Sequence, residues 1–170
     1  GDIEGDGYDD FAISSAGGLL DLTGYGKVEI HSGSSTGHST TPSATWMQNV
    51  LQGTLLGYSV ESLGDVNGDG YNDLGFGEPY VDTAGPGSNG AIHIAFGGAN
   101  GFPSAFNQSI QGPSPGSKMG FQMSAAGDVD RDGYDDMWAV RPGSGATGDL
   151  ALYWGSSSGL SSSINHLFFN

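Results

Sequence analysis

The chain is 170 residues long, with 19 acidic side chains against 4 basic ones, 32 glycines and no cysteine. Four cations and a formal net charge of −15 exclude the positive footprint that nucleic acid or an anionic membrane surface requires. No apolar run reaches the roughly 18 residues of a membrane-spanning helix, there is no thiol for a disulfide or a zinc site, and a charged fraction of 14% with 11% aromatics is not that of an acidic disordered tail.

In chain order, the first segment is an acidic loop, GDIEGDGYDDF at residues 1–11, running into the strand-like DFAISS. Gly26-KVEIHS-Gly33 follows, with Val28 and Ile30 alternating as in a half-buried strand. A weaker strand signal, ATWMQNVLQ, closes this first unit. Leu56-GYSVES then leads into a second loop, GDVNGDGYNDL at residues 64–74, followed by DLGFGEP, by Gly90-AIHIAF-Gly97 with Ile92 and Ile94 alternating, and by FNQSIQ. Met119-GFQMSA leads into a third loop, GDVDRDGYDDM at residues 127–137, followed by DMWAVRP, by Gly148-DLALYW-Gly155 with Leu150 and Leu152 alternating, and by INHLFF.

The first aspartates of the loops, Asp2, Asp65 and Asp128, are spaced by a constant 63 residues. The loops hold five, three and five acids, thirteen of the nineteen. Each period therefore carries one acidic loop and about four short strands separated by Gly, Pro and Ser turns, with no sustained helical periodicity. Four-stranded units repeated head to tail predict an all-β fold of propeller blades. The expected organisation is one segment, 1–170, with repeats at 1–63, 64–126 and 127–170, the last truncated.

The loop pattern is D-x-[EDN]-x-D-G-Y-x-D. In the second copy its oxygen donors fall at Asp65, Asn67, Asp69 and Asp73, with Gly70 in the sixth position. Clustered oxygens without His or Cys suit a hard cation, and six to eight oxygens at about 2.3–2.6 Å is calcium chemistry rather than magnesium chemistry. The glycine is expected where a Cβ would clash in a sharp turn. The seventh residue, Tyr8, Tyr71 or Tyr134, offers its backbone carbonyl. Position twelve, where an EF-hand needs a bidentate Glu, is Ile13, Phe76 or Ala139. The loops close instead at position nine, on Asp10, Asp73 and Asp136, and run straight into a strand. Without a cation, three or four carboxylates within nine residues would repel uncompensated.

These features together resemble the FG-GAP repeat family, the integrin α-subunit type of β-propeller. The resemblance is carried by the three loops, by Leu56-Gly57-Tyr58-Ser59-Val60 and Met119-Gly120-Phe121-Gln122-Met123 as opening strands, by Gly77-Glu78-Pro79, and by Tyr153-Trp154-Gly155-Ser156-Ser157-Ser158-Gly159-Leu160 as a hairpin ending. The Gly77-Glu78-Pro79 element is degenerate as Val140-Arg141-Pro142 and lost as Ser14-Ser15-Ala16. The resemblance implies up to three calcium ions, one per loop. Its ligands would be Asp65, Asn67, Asp69, Tyr71 (backbone) and Asp73 in the second loop. In the third they would be Asp128, Asp130, Asp132, Tyr134 (backbone) and Asp136, and in the first Asp2, Glu4, Asp6, Tyr8 (backbone) and Asp10. Glu4 departs from the pattern by one methylene, and Arg131 stands where the other loops have Gly5 and Gly68. Family topology places each loop between the innermost strand of a blade and the next, so the first blade lacks its inner strand and eleven strands are expected. The chain is then expected to be one piece of a larger propeller, completed by further sequence or by another chain.

Catalytic-looking motifs do not hold up. Gly33-Ser34-Ser35-Thr36-Gly37 and Gly155-Ser156-Ser157-Ser158-Gly159 match G-x-S-x-G, but no helix signal follows either. The Gly85–Gly90 run matches G-x-G-x-x-G, but precedes a strand where a dinucleotide site needs a helix. His31, His38, His93 and His166 form no ligand pair by spacing and read as structural or exposed. Trp46, Trp138 and Trp154 read as inter-blade packing. Asn107-Gln108-Ser109 is a formal glycosylation sequon.

The function that follows is a calcium-stabilised, non-enzymatic module for extracellular recognition or adhesion, secreted or at the cell surface, binding a protein or glycan. Its partner face is expected on loops 17–24, 81–89 and 111–117. The alternatives are the propeller of a polysaccharide-acting enzyme or lectin, or a structural subunit that assembles through open blade edges.

Overall fold

The computed structural model describes residues 1–17, 26–47, 53–82, 87–143 and 148–168. Residues 18–24 and 83–86 of the expected partner-face loops, the start of the Gly85–Gly90 run, and the end of ATWMQNVLQ lie outside these residues. Among the described residues there are eleven strands and no helix.

The strands form three antiparallel sheets, each a meander in which sequence neighbours pair. The first is β1 (Phe11–Ser15), β2 (Lys27–His31) and β3 (Ala44–Met47). The second is β4 (Val60–Gly64), β5 (Asp73–Glu78), β6 (Ala91–Ala95) and β7 (Gln108–Gln111). The third is β8 (Gln122–Gly127), β9 (Asp136–Arg141), β10 (Asp149–Tyr153) and β11 (His166–Phe168). These are propeller blades, the first lacking its inner strand. The alternating segments anticipated after each acidic loop are β2, β6 and β10.

Alternation decides which blade each side chain meets, because successive residues of a strand face opposite sides of the sheet. From the second blade, Ile92, Ile94 and Ile110 join Met123, Met137, Ala139, Ala151 and Tyr153 of the third in one buried cluster. From its other face, Leu74, Phe76 and Ala95 meet Val28, Ile30 and Trp46 of the first blade. Trp46 lies 4.8 Å from the Phe76 ring and is 3% exposed, so it fills the space between blades as expected, whereas Trp154, just past the end of β10, is exposed rather than packed between blades. The second blade is thus covered on both faces, and every residue of β5 is buried. The outer faces of the flanking blades are open: Phe11 and Ile13 on β1, and Phe168 on β11, are exposed.

Each complete blade has a register shift at the end of its inner strand, between Ser62 and Gly64 in β4 and between Ala125 and Gly127 in β8. A bulge adds a residue to one strand and re-aims the chain. Here it turns the inner strand into the acidic loop at the same point in both blades.

Candidate metal centre

Each loop folds around its first aspartate. Asp65 Oδ1 accepts the N–H groups of Gly68 (2.7 Å) and Asp69 (3.0 Å), and Oδ2 accepts that of Gly70 (2.8 Å). Asp2 accepts from Gly5, Asp6 and Gly7 in the same way, and Asp128 from Asp132 and Gly133. The fifth-position aspartate accepts from the tyrosine two residues on: Asp6 from Tyr8, Asp69 from Tyr71 and Asp132 from Tyr134. These short-range side-chain-to-backbone bonds wrap the loop into a compact coil. The sixth-position glycines have φ of 90°, 92° and 97°, yet a Cβ on any of them would meet nothing within 4 Å. The expected clash is therefore absent. Glycine is needed there for its left-handed backbone, not for space.

The ninth aspartate has a second role that the ligand pattern did not reveal. Asp73 Oδ2 accepts the Val66 N–H at 2.9 Å, and Oδ1 accepts the Gly97 N–H at 3.0 Å. Asp10 repeats this with Ile3 and Gly33, and Asp136 with Val129 and Gly155. This side chain ties the loop's start to the strand end two strands away. Asp73 and Asp136 are fully buried and Asp10 is nearly so. Burial pushes the Asp73 carboxyl up to about 7, against the lowering effect of its two backbone donors, with the charges of Asp69 and Asp65 pushing the same way.

In the third loop, carboxylate oxygens of Asp128, Asp130 and Asp136 lie within 4.8 Å of one another. Asp130 is exposed, but local desolvation and then the charges of Asp132, Asp136 and Asp128 raise its carboxyl above the ordinary range. A donor set that is all oxygen, anionic and mutually repelling fits a hard divalent cation. In the second loop Asn67 stays within the coil, accepting from the Asp69 N–H at 2.9 Å and donating to Asp69 Oδ2 at 3.0 Å. In the first, Glu4 is drawn elsewhere: its Oε1 accepts the Ser32 hydroxyl at 2.7 Å. The longer side chain reaches the neighbouring hairpin instead of closing on its own loop. The Tyr8 ring is exposed, while those of Tyr71 and Tyr134 are half-buried.

A second polar constellation crosses the middle blade. His93 on β6 stands opposite Ser109 on β7, its Nδ1 2.7 Å from the Ser109 hydroxyl, and its Nε2 lies 2.8 Å from Glu78 Oε2 on β5. The ring stacks on Phe106 at 4.4 Å. The chain of contacts bridges three strands and pins the imidazole on both nitrogens and one face. In the third blade, Arg141, at the position of Glu78, makes a two-pronged ion pair with Asp149 at 2.8 and 2.7 Å. Sequence spacing gave no sign of either, because their members meet only across paired strands. Asn107 is exposed, and its Oδ1 accepts the Phe96 N–H just as Asn165 accepts from Trp154 in the next blade.

Comparison with known proteins agrees with this architecture. Residues 56–94 match the FG-GAP repeat family. The chain is 38% identical over 93 residues to mouse (Mus musculus) integrin alpha-IIb, an overlap covering 52% of this chain and 9% of that protein. It is 34% identical over 89 residues to human integrin alpha-6, covering 52% of this chain and 7% of that protein. It is 33% identical over 117 residues to integrin alpha-3 of Cricetulus griseus, covering 66% of this chain and 11% of that protein. The chain thus spans about a tenth of the length of the relatives it matches.

Proposed function

Starting from a chain that carries an integrin-type FG-GAP repeat, we propose that it is a calcium-stabilised propeller module for extracellular recognition or adhesion, with repeats at 1–63, 64–126 and 127–170. The observation that carries the calcium reading is the gathering of Asp128, Asp130 and Asp136 carboxylate oxygens within 4.8 Å of one another, in a loop whose side-chain-to-backbone hydrogen bonds recur in the other two. The second loop would hold its ion through Asp65, Asn67, Asp69, the Tyr71 carbonyl and Asp73. The third would use Asp128, Asp130, Asp132, the Tyr134 carbonyl and Asp136. The first would use Asp2, Asp6, the Tyr8 carbonyl and Asp10, with Glu4 available if it leaves Ser32.

Bound calcium supplies positive charge that offsets the repulsion among these carboxylates. The protein does the rest. The first aspartate organises the coil, the ninth anchors it to the sheet, and the glycines let it turn. The role is structural, and recognition belongs to surfaces held in place by the blades: the expected loops 17–24, 81–89 and 111–117, binding an extracellular protein or glycan. Further blades, from this protein or another chain, would cover Phe11 and Ile13 at one end and Phe168 at the other.

The test is thermal unfolding of the chain in chelator and after adding back calcium or magnesium. A ligand that binds only the folded form stabilises it by about 2.7 kcal/mol per site at a hundredfold excess over its Kd. The expected result is a melting temperature lowered by several degrees in chelator, restored by calcium and poorly by magnesium. An unchanged melting temperature rejects the calcium reading.

A further inference from the structure

The eighth position of the acidic loop has no part in the ligand pattern, yet it is where neighbouring loops touch. Asp135 lies between Tyr134 and Asp136 of the third loop, and its side chain reaches the second loop. Its Oδ2 accepts the N–H of Asp65 at 2.8 Å, and its own N–H donates to the Asp65 carbonyl at 3.0 Å. Both backbone groups of the residue that organises the second loop are therefore held by one residue of the third. Two further contacts reinforce the joint. The Ser156 N–H donates to the Val66 carbonyl at 3.1 Å, and the Tyr134 ring lies against Gly68, where a Cβ would come within 2.5 Å of it. Gly68 is the fourth residue of the second loop, so the third loop supports its neighbour at the first and fourth positions, and the turn after β10 supports it at the second.

The geometry points to Asp135 as a positioning residue for the second metal loop, through which the second and third cation sites are coupled. This rests on the calcium reading above. A cation held by the third loop would fix residues 134–136, since Tyr134 and Asp136 flank Asp135 and belong to the ligand set. With Asp135 fixed, Asp65 is already oriented and less ordering remains for the second loop when its own ion binds. Linkage makes the effect mutual: each ion tightens the other by the same factor. The joint between the first and second loops is looser. There the eighth residue is Asn72, which reaches the Asp2 carbonyl with its amide at 3.4 Å, while the Tyr71 ring lies 3.3 Å from where a Gly5 Cβ would be. Coupling is therefore stronger between loops two and three than between loops one and two.

Calcium titration by calorimetry on the full chain tests this, with Asp6→Ala in all proteins to remove the first site. Asp130→Ala then leaves the second loop alone, and Asn67→Ala leaves the third. The expected result is that each lone site binds calcium about five-fold more weakly, or worse, than when its neighbour is intact. Asp135→Ala, at a position outside the ligand pattern of its own loop, should remove that difference. Asp135→Asn, which keeps an acceptor oxygen for the Asp65 N–H, should retain part of it. A merely structural role would lower melting temperature without changing how one site responds to the other. Equal affinities for lone and paired sites, with Asp135 intact, overturn the coupling and leave the calcium reading standing. No calcium binding by either loop overturns both. Should Asp135→Ala not fold, the lone-site comparison alone decides, because it uses only wild-type position 135.

Discussion

The second and third acidic loops are nearly the same sequence in two environments. Their second residues show the difference most directly: Val66 is fully buried, whereas Val129 is 50% exposed. Asp65 is half-buried and Asp128 exposed. The second loop lies under the next blade, touched by Asp135 and Tyr134 of its acidic loop and by Ser156 after β10, while among the described residues nothing covers the third in the same way. Where a neighbouring ring rests, position four is Gly68; in the third loop it is Arg131, which holds the same left-handed backbone at φ 65° despite its side chain. What is common to both loops is therefore the coil and its ninth-position anchor. What differs is the roof.

Three measurements break or sharpen that comparison. The largest effect belongs to the shared anchor. Asp73→Ala and Asp136→Ala, compared in chelator so that calcium plays no part, each leave two backbone donors without their acceptor. Both should lose about 2–4 kcal/mol in denaturant unfolding. Losses differing by more than about 1 kcal/mol would mean that the roof reaches the anchor too. Next, Val66→Ala should cost about 2 kcal/mol by removing packing between the second and third blades, whereas Val129→Ala should stay within about 0.5 kcal/mol. Equal costs would place Val129 under cover in solution. The smallest effects lie at the fourth position. Gly68→Ala meets both a left-handed φ and the Tyr134 ring and should cost about 1–2 kcal/mol. Arg131→Gly, with no ring to accommodate, should gain about 0.5–1 kcal/mol by relieving its backbone. A destabilised Arg131→Gly would show that the arginine side chain contributes more than its φ costs.

The repeat, the loops and the alternating strands were legible because each is a local pattern. A period of 63, a side-chain oxygen at every second residue of the loop's first half, and Ile92 and Ile94 two apart can all be read without knowing what lies next to them. The propeller blades followed from that reading. What could not be read was every contact between repeats or across three strands. Asp135 and Asp65 are 70 residues apart, and at position eight the loops carry Asp9, Asn72 and Asp135, a variation that looks tolerant in sequence. His93 meets Glu78 and Ser109 only because strands β5 to β7 pair in one register. Glu4 was read as a ligand by position, but its extra methylene puts it within reach of Ser32, a residue whose proximity depends on how β2 leaves the blade. The ninth aspartate shows the limit from the other side. Its recurrence at position nine could be read from the sequence, but its grip on Gly97 needed the sheet to bring that glycine back.

The coil also bears on how the protein ages. Asn-Gly and Asp-Gly pairs are the points where a polypeptide most readily rearranges, when the glycine nitrogen attacks the preceding side-chain carbonyl and closes a succinimide. Each loop contains such a pair at positions five and six, and the second adds Asn67-Gly68. In every one of these four pairs the glycine N–H is engaged by the loop's first aspartate: Gly7 by Asp2, Gly68 and Gly70 by Asp65, and Gly133 by Asp128. The attacking nitrogen is thus turned away from its target while the coil is intact. These four perishable pairs are shielded by the fold itself, so isoaspartate accumulating at these sites would record the time each loop has spent open.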